Sequence, residues 1–168
     1  MLKIALEKVK ERDFESPKKK FGLKMKDISK FLARQDTEKR PAPISIEHCV
    51  LAAGKTNFPY HCHAAEWEMY YALKGAAQMR TEAGVEDFKE GECAACPPGD
   101  AHQIINESAE DFEYLVITNN APFDTYYYPD SDKVYVAPMF GANKEVGKEA
   151  MWTTFKEGAT TDYWQGEE

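Results

Sequence analysis

The chain has 168 residues, 43% of them hydrophobic and 30% charged, and a net charge of −8. That is apolar material for one core and too little for two, since compact domains cluster around roughly 100–150 residues. No run reaches the ~20 uninterrupted apolar residues of a membrane helix, and so acidic a chain repels nucleic acid and anionic membranes.

The N-terminal stretch MLKIALEKVKERDF has charges scattered through it and no apolar h-region, so no signal peptide is read and a cytoplasmic location is expected. Residues 1–40 hold 13 Lys+Arg against 7 Asp+Glu, a balance of +6, and the remainder holds 8 against 22, a balance of −14. Residues 1–43 therefore read as a basic arm, closed by Arg40-Pro41-Ala42-Pro43, where two prolines mark a boundary. Within it, Lys3–Val9 reads as an early strand. Met25, Ile28, Phe31 and Leu32 recur at helical spacing and predict a short amphipathic helix over Lys24–Arg34. The Lys18-Lys19-Lys20 run is expected to be a solvated or barrel-docked turn rather than a phosphate contact.

From Ile44 the pattern changes. The runs ISIEHCVLAA, EMYYALKG, AAQMRTEAG, VEDFKEG, ECAACPPGD, HQIINES, FEYLVIT and DTYYYP follow one another between turn residues. Many short strands at regular spacing predict an all-β sandwich or barrel over 44–128, and the absence of long helical stretches argues against an α/β fold. Residues 129–168 lose periodicity and are expected to be a tail whose aromatic residues pack on the barrel.

The four cysteines do not look like a disulfide framework, because a chain of this size in a reducing compartment does not need one. Cys93-Ala-Ala-Cys96 has the spacing of a redox or zinc pair, yet residues three apart on a strand point to opposite faces. Two buried strand cysteines are expected.

Three of the four histidines fall in two short segments. His61 and His63 alternate along a strand and can face one cavity. Glu68 opens the run EMYYALKG, and His102 follows the turn Pro97-Pro98-Gly99-Asp100. Three imidazoles and a carboxylate suit a divalent transition metal, and in a six-coordinate ion they leave two positions open. Glu66 is a rival carboxylate and is expected at the rim or in solvent. His48 shares parity with Ile44, Ile46 and Val50 and reads as a hydrogen-bonded core histidine. Tyr70 shares the parity of Glu68 and is placed in the cavity unless a bulge reverses it.

These residues carry a resemblance to the cupin superfamily, small jelly-roll barrels with two sequence motifs. The first appears as Gly54, His61, His63, Glu68 and Gly75; the second as Gly91, Pro97, Gly99, His102 and Asn106, with every spacing matched. Gly54 lies one residue further upstream of His61 than usual. The chain is also similar to small bacterial cupins described as sugar phosphate isomerases, in its His-Cys-His run and in Tyr128-Pro129-Asp130-Ser131.

The resemblance implies a double-stranded β-helix barrel and one divalent ion (Zn, Fe, Mn or Ni) on His61, His63, Glu68 and His102. It implies metal-dependent chemistry on a small oxygen-rich molecule, an isomerase first and a decarboxylase or dioxygenase otherwise. A non-catalytic ligand-binding or sensing module is the alternative. It also implies a homodimer, with the basic arm crossing between subunits.

Overall fold

The computed structural model describes residues 3–29, 44–119, 121, 123–137 and 153–156. Its strands are β1 (Glu11–Glu15), β2 (Gly22–Asp27), β3 (Ser45–Leu51), β4 (Cys62–His63), β5 (Glu68–Lys74), β6 (Ala76–Thr81) and β7 (Gly84–Lys89). They continue with β8 (Cys93–Cys96), β9 (Gln103–Ile105), β10 (Phe112–Thr118), β11 (Asp124–Tyr128), β12 (Lys133–Ala137) and β13 (Thr153–Lys156). All eight runs expected between Ile44 and Tyr128 are strands.

One sheet of six strands runs β1-β2-β3-β10-β5-β8. Facing it, β7-β6-β9 and β13-β12-β11-β4 form two smaller sheets, joined by an antiparallel backbone bridge between His61 and His102. This is the all-β jelly-roll arrangement. Its core comes from the inward alternate residues of both faces, among them Leu51, Met79, Phe88, Ile104, Phe112 and Tyr114. Phe112 stacks on Tyr114 at 5.2 Å and meets Phe88 edge-on at 5.7 Å, geometries that aromatic quadrupoles favour. The β5–β6 connection closes on Gly75, whose φ is +82° and whose missing Cβ would lie 2.9 Å from the Asp111 carbonyl oxygen. Only glycine fits that approach.

The arm departs from expectation. Lys24–Asp27 is the end of strand β2, not helix, because Leu23 and Met25 alternate inward onto the core while Lys24 and Lys26 face out. The rest of the expected helix lies outside the described residues, apart from Ile28 and Ser29. Lys3–Val9 is not a strand either: Leu6–Lys8 forms a 3₁₀ turn, and the first strand starts at Glu11. Residues 17–20 form an exposed turn, with Lys55 Nζ donating to the Lys19 carbonyl at 2.7 Å.

All four cysteines are free thiols. Cys96 is buried as expected, but Cys93 is exposed, because β8 is an edge strand and the outward side of Cys93 is uncovered. In the tail, β12 and β13 extend the four-stranded sheet with Phe155 exposed; Trp152, Tyr163 and Trp164 lie outside the described residues. Among the described residues no helix is long and apolar enough to cross a membrane.

Candidate metal centre

His63 ends the two-residue strand β4 and His61 lies just before it on the same side of the pleat, and both are buried. The Pro97–Asp100 turn delivers His102 opposite His61. Gly99 N–H donates to the His63 carbonyl at 2.8 Å, and His61 and His102 exchange backbone bonds of 3.3 and 2.9 Å. Glu68 enters from the facing sheet as the first residue of β5. One ligand atom from each of these four residues lies within 4.8 Å of all the others. Donors around an octahedral ion at ~2.1 Å are at most ~4.2 Å apart, so the set is close to coordination geometry.

The outer nitrogens test the fit. His61 Nδ1 lies 2.8 Å from the Pro59 carbonyl and His102 Nδ1 lies 2.9 Å from the Asp100 carbonyl. His63 Nδ1 lies 2.6 Å from Asp124 Oδ2. A carbonyl or carboxylate oxygen only accepts, so each Nδ1 carries the proton. The three Nε2 lone pairs are thereby turned inward, which is how outer partners orient metal-binding imidazoles. His63 Nε2 is buried with no hydrogen-bond partner; Glu68 Oε2, at 3.4 Å, is a charge neighbour only. A buried ring nitrogen of this kind asks for a proton or a metal ion. The donor set fits a divalent transition ion.

Without an ion, protons answer the charge. Glu68 Oε2 lies 2.7 Å from His102 Nε2 and accepts from the Tyr70 hydroxyl at 2.6 Å. Burial pulls the His63 imidazole down, but Asp124 and Glu68 outweigh it and hold it at about 9. Burial opposes His102 likewise, yet Cys96 and Glu68 bring it to about 10. His61 stays neutral: burial, reinforced by His102, lowers it to about 4. Glu68 is held well below the carboxylate range by both histidines despite its burial.

Tyr70 lies inside the cavity as its parity predicts, its hydroxyl 3.0 Å from His102 Nε2. The register shift between Glu113 and Tyr114 falls beyond it and leaves its direction intact. Tyr126 sits 4.5 Å over His63, and Tyr128 lies parallel to His61 at 6.0 Å. His48 is buried as expected, but on the outer side of its sheet, 3.5 Å from Glu113 Oε2.

Glu66 corrects its expectation: it is 4% exposed, not at the rim. It belongs to the 64–67 connection, where strand parity does not apply, and this connection turns it inward behind His63, with Oε2 3.7 Å from Nδ1. Asp124 was not singled out from the sequence, because nothing local marks a carboxylate that reaches His63 from 61 residues away. Its Oδ1 also accepts from Ala65 N–H at 2.8 Å, so one side chain fixes both the His63 ring and the turn toward Glu68.

Residues 47–118 match the family described as Cupin domain. No curated protein matches the sequence at a significant level. Among solved structures, a sugar phosphate isomerase of a cupin superfamily from Silicibacter pomeroyi DSS-3 is 21% identical, with a TM-score of 0.69 over 80% of this chain and 85% of that one. A candidate sugar phosphate isomerase from Acidithiobacillus ferrooxidans is 18% identical, with a TM-score of 0.74 over 93% and 90%. The polyketide cyclase RemF from Streptomyces resistomycificus is 19% identical, with a TM-score of 0.56 over 70% and 78%. At such identities these likenesses establish the fold.

Proposed function

From the premise that residues 47–118 are a cupin domain, we propose that the chain is a metal-dependent enzyme acting on a small oxygen-rich metabolite, a hydroxy-carbonyl sugar or sugar phosphate first. The observation that carries this reading is the convergence of three Nε2 lone pairs and the Glu68 carboxylate within 4.8 Å, each ring pinned from behind. The names of the two isomerase-like structures point the same way.

His61, His63, Glu68 and His102 would hold one divalent ion, which when bound supplies Lewis acidity to a hydroxyl or carbonyl oxygen. The chain's own residues do the rest. Glu68 supplies the one anionic ligand and keeps the site's charge low. Tyr70 holds its proton firmly, since burial and Glu68 raise it well above the usual range; it is a hydrogen-bond donor toward a bound oxygen rather than a base. The Tyr126 and Tyr128 rings wall the histidines and exclude water on that side. The four free thiols fit a reducing, cytoplasmic setting, and the assembly we infer is a pair of copies.

Metal analysis of purified protein tests the centre. About one divalent ion per chain is expected, with any ligand changed to alanine weakening binding at least ~10-fold. Full occupancy in a His61→Ala/His102→Ala double variant would remove the site. Turnover of hydroxy-carbonyl sugars and their phosphates, abolished by chelation and restored by a divalent ion, is the expected activity. Unreactive retention of a metabolite across the same screen would make the protein a binding module.

A further inference from the structure

We infer that Lys133 and Lys156 form a recognition site for the terminal phosphate monoester of an open-chain sugar whose other end meets the metal centre. This rests on the reading of the chain as a metal-dependent sugar enzyme and names the substrate class of that same site. Direct partners across antiparallel strands share a face. In the sheet β4-β11-β12-β13, Tyr126 stands opposite His63 on one side and Tyr135 on the other. Two residues along, on the same face, Tyr128 stands opposite Lys133, and Lys133 opposite Lys156. Both lysines therefore lie on the face of the sheet that carries the metal ligands.

Side-chain contacts agree with the register. Tyr135 meets Tyr126 at 5.5 Å, Tyr128 lies parallel to His61 at 6.0 Å, and Lys133 Nζ stands 5.8 Å over the Tyr128 ring. The ammonium is thus two steps of about 6 Å from a metal-ligating imidazole. An extended five- or six-carbon chain fits that span. Its skeleton covers roughly 6–7 Å between end carbons, with ~2.1 Å to an ion at one end and ~2.8 Å to an ammonium at the other. The turn before Lys133 is held from outside. Arg80 on β6 grips Asp130 with both guanidinium nitrogens, at 2.7 and 2.8 Å, and Asp132 takes a left-handed conformation, φ +45°, that returns the chain along β11.

Charge argues for an anion at this place. Like charges directly opposite each other on a sheet are destabilising, yet Lys133 and Lys156 are such a pair. Among the described residues neither has a carboxylate partner; Lys133 rests on a tyrosine ring instead. Arg80 and Lys55, by contrast, are engaged by Asp130 and Glu15. Around the metal ligands the pocket holds the carboxylates Glu66, Glu68 and Asp124, so an anionic group is repelled there and drawn to the lysine end. A phosphate monoester carries roughly two charges at neutral pH, which two ammonium groups answer.

Isothermal titration of the metal-loaded full chain tests this with three unreactive open-chain probes on one skeleton. They are gluconate, gluconate phosphorylated on its primary hydroxyl, and glucarate, which has a carboxylate at that carbon. The phosphorylated acid should bind ~10-fold or more tighter than gluconate. Lys133→Ala and Lys156→Ala should each remove most of that advantage and leave gluconate affinity unchanged, and Lys133→Arg should retain most of it. A residue that merely supported the sheet would weaken both ligands alike. If a lysine variant does not fold, the wild-type protein gives a second reading, a phosphate advantage that shrinks as ionic strength rises. Equal affinity for gluconate and its phosphate, a loss in the variants shared by both, an advantage indifferent to salt, or glucarate binding as tightly as the phosphate would overturn the inference. Ion content is measured on the same samples. A chain that holds its ion and ignores the phosphate fails here alone, whereas a chain that takes up no ion fails the functional reading.

Discussion

A carboxylate buried beside a histidine needs its charge answered, and the two behind His63 are answered unequally. Asp124 is fully buried with both oxygens bonded, and it remains low because His63 and backbone N–H groups outweigh its burial. Replacing it by asparagine leaves one acceptor oxygen for two donors. We expect Asp124→Asn to weaken metal binding by roughly 10–100-fold with the fold intact, read by competition against a chromophoric chelator. Unaltered affinity would show that His63 needs no such anchor. Glu66 has one oxygen, Oε1, without a partner, and burial, with Asp124 and Glu68 adding to it, lifts its carboxyl to about 7. A carboxyl raised on folding favours the native state below its unfolded value of 4.5, and that advantage is lost as pH rises through about 7. Chelator-treated protein should therefore lose up to about 3 kcal/mol from this group across that window. Glu66→Gln should remove that slope, measured as the pH dependence of the difference in denaturation midpoints. Parallel curves for the two proteins would place the Glu66 carboxyl in the ordinary range.

At the level of elements, alternation identified the strands from Ile44 to Tyr128 because each run is short, half-buried and bounded by turn residues. The arm was harder to read. Met25, Ile28, Phe31 and Leu32 satisfy a period of 3.6, while Leu23 and Met25 satisfy a period of two, and only the free edge of β3 decides between them. That edge accepts β2, which in turn carries β1, and Phe14 reaches Phe58 at 5.1 Å. The basic segment thus completes a sheet of its own barrel. A chain lacking residues 1–27 should be several kcal/mol less stable, since burying a side chain such as Leu23 or Phe14 contributes about 1.5–3 kcal/mol. An unchanged thermal midpoint would show β1 and β2 to be dispensable.

For the molecule as a whole, the part of the site legible in the sequence is the part written in local spacing. His61 and His63 sit two apart on one strand, and His102 sits at a fixed distance past a proline-glycine turn. What spacing cannot carry is the support: Asp124 from β11, Tyr126 across the strand pair, and Glu66 turned inward by a connection without periodicity. These depend on which strands become neighbours, a property of the closed barrel rather than of any segment. The half of the barrel opposite the six-stranded sheet is two pieces, and their backbones meet where His61 bonds to His102. The same two residues are thus a seam in their main chains and would be a chelating pair in their side chains, two links acting in parallel. A load that parts the two pieces there would also pull the two rings apart, and an ion clasping them would resist it. An ion held there would stiffen that wall as well as fill the site.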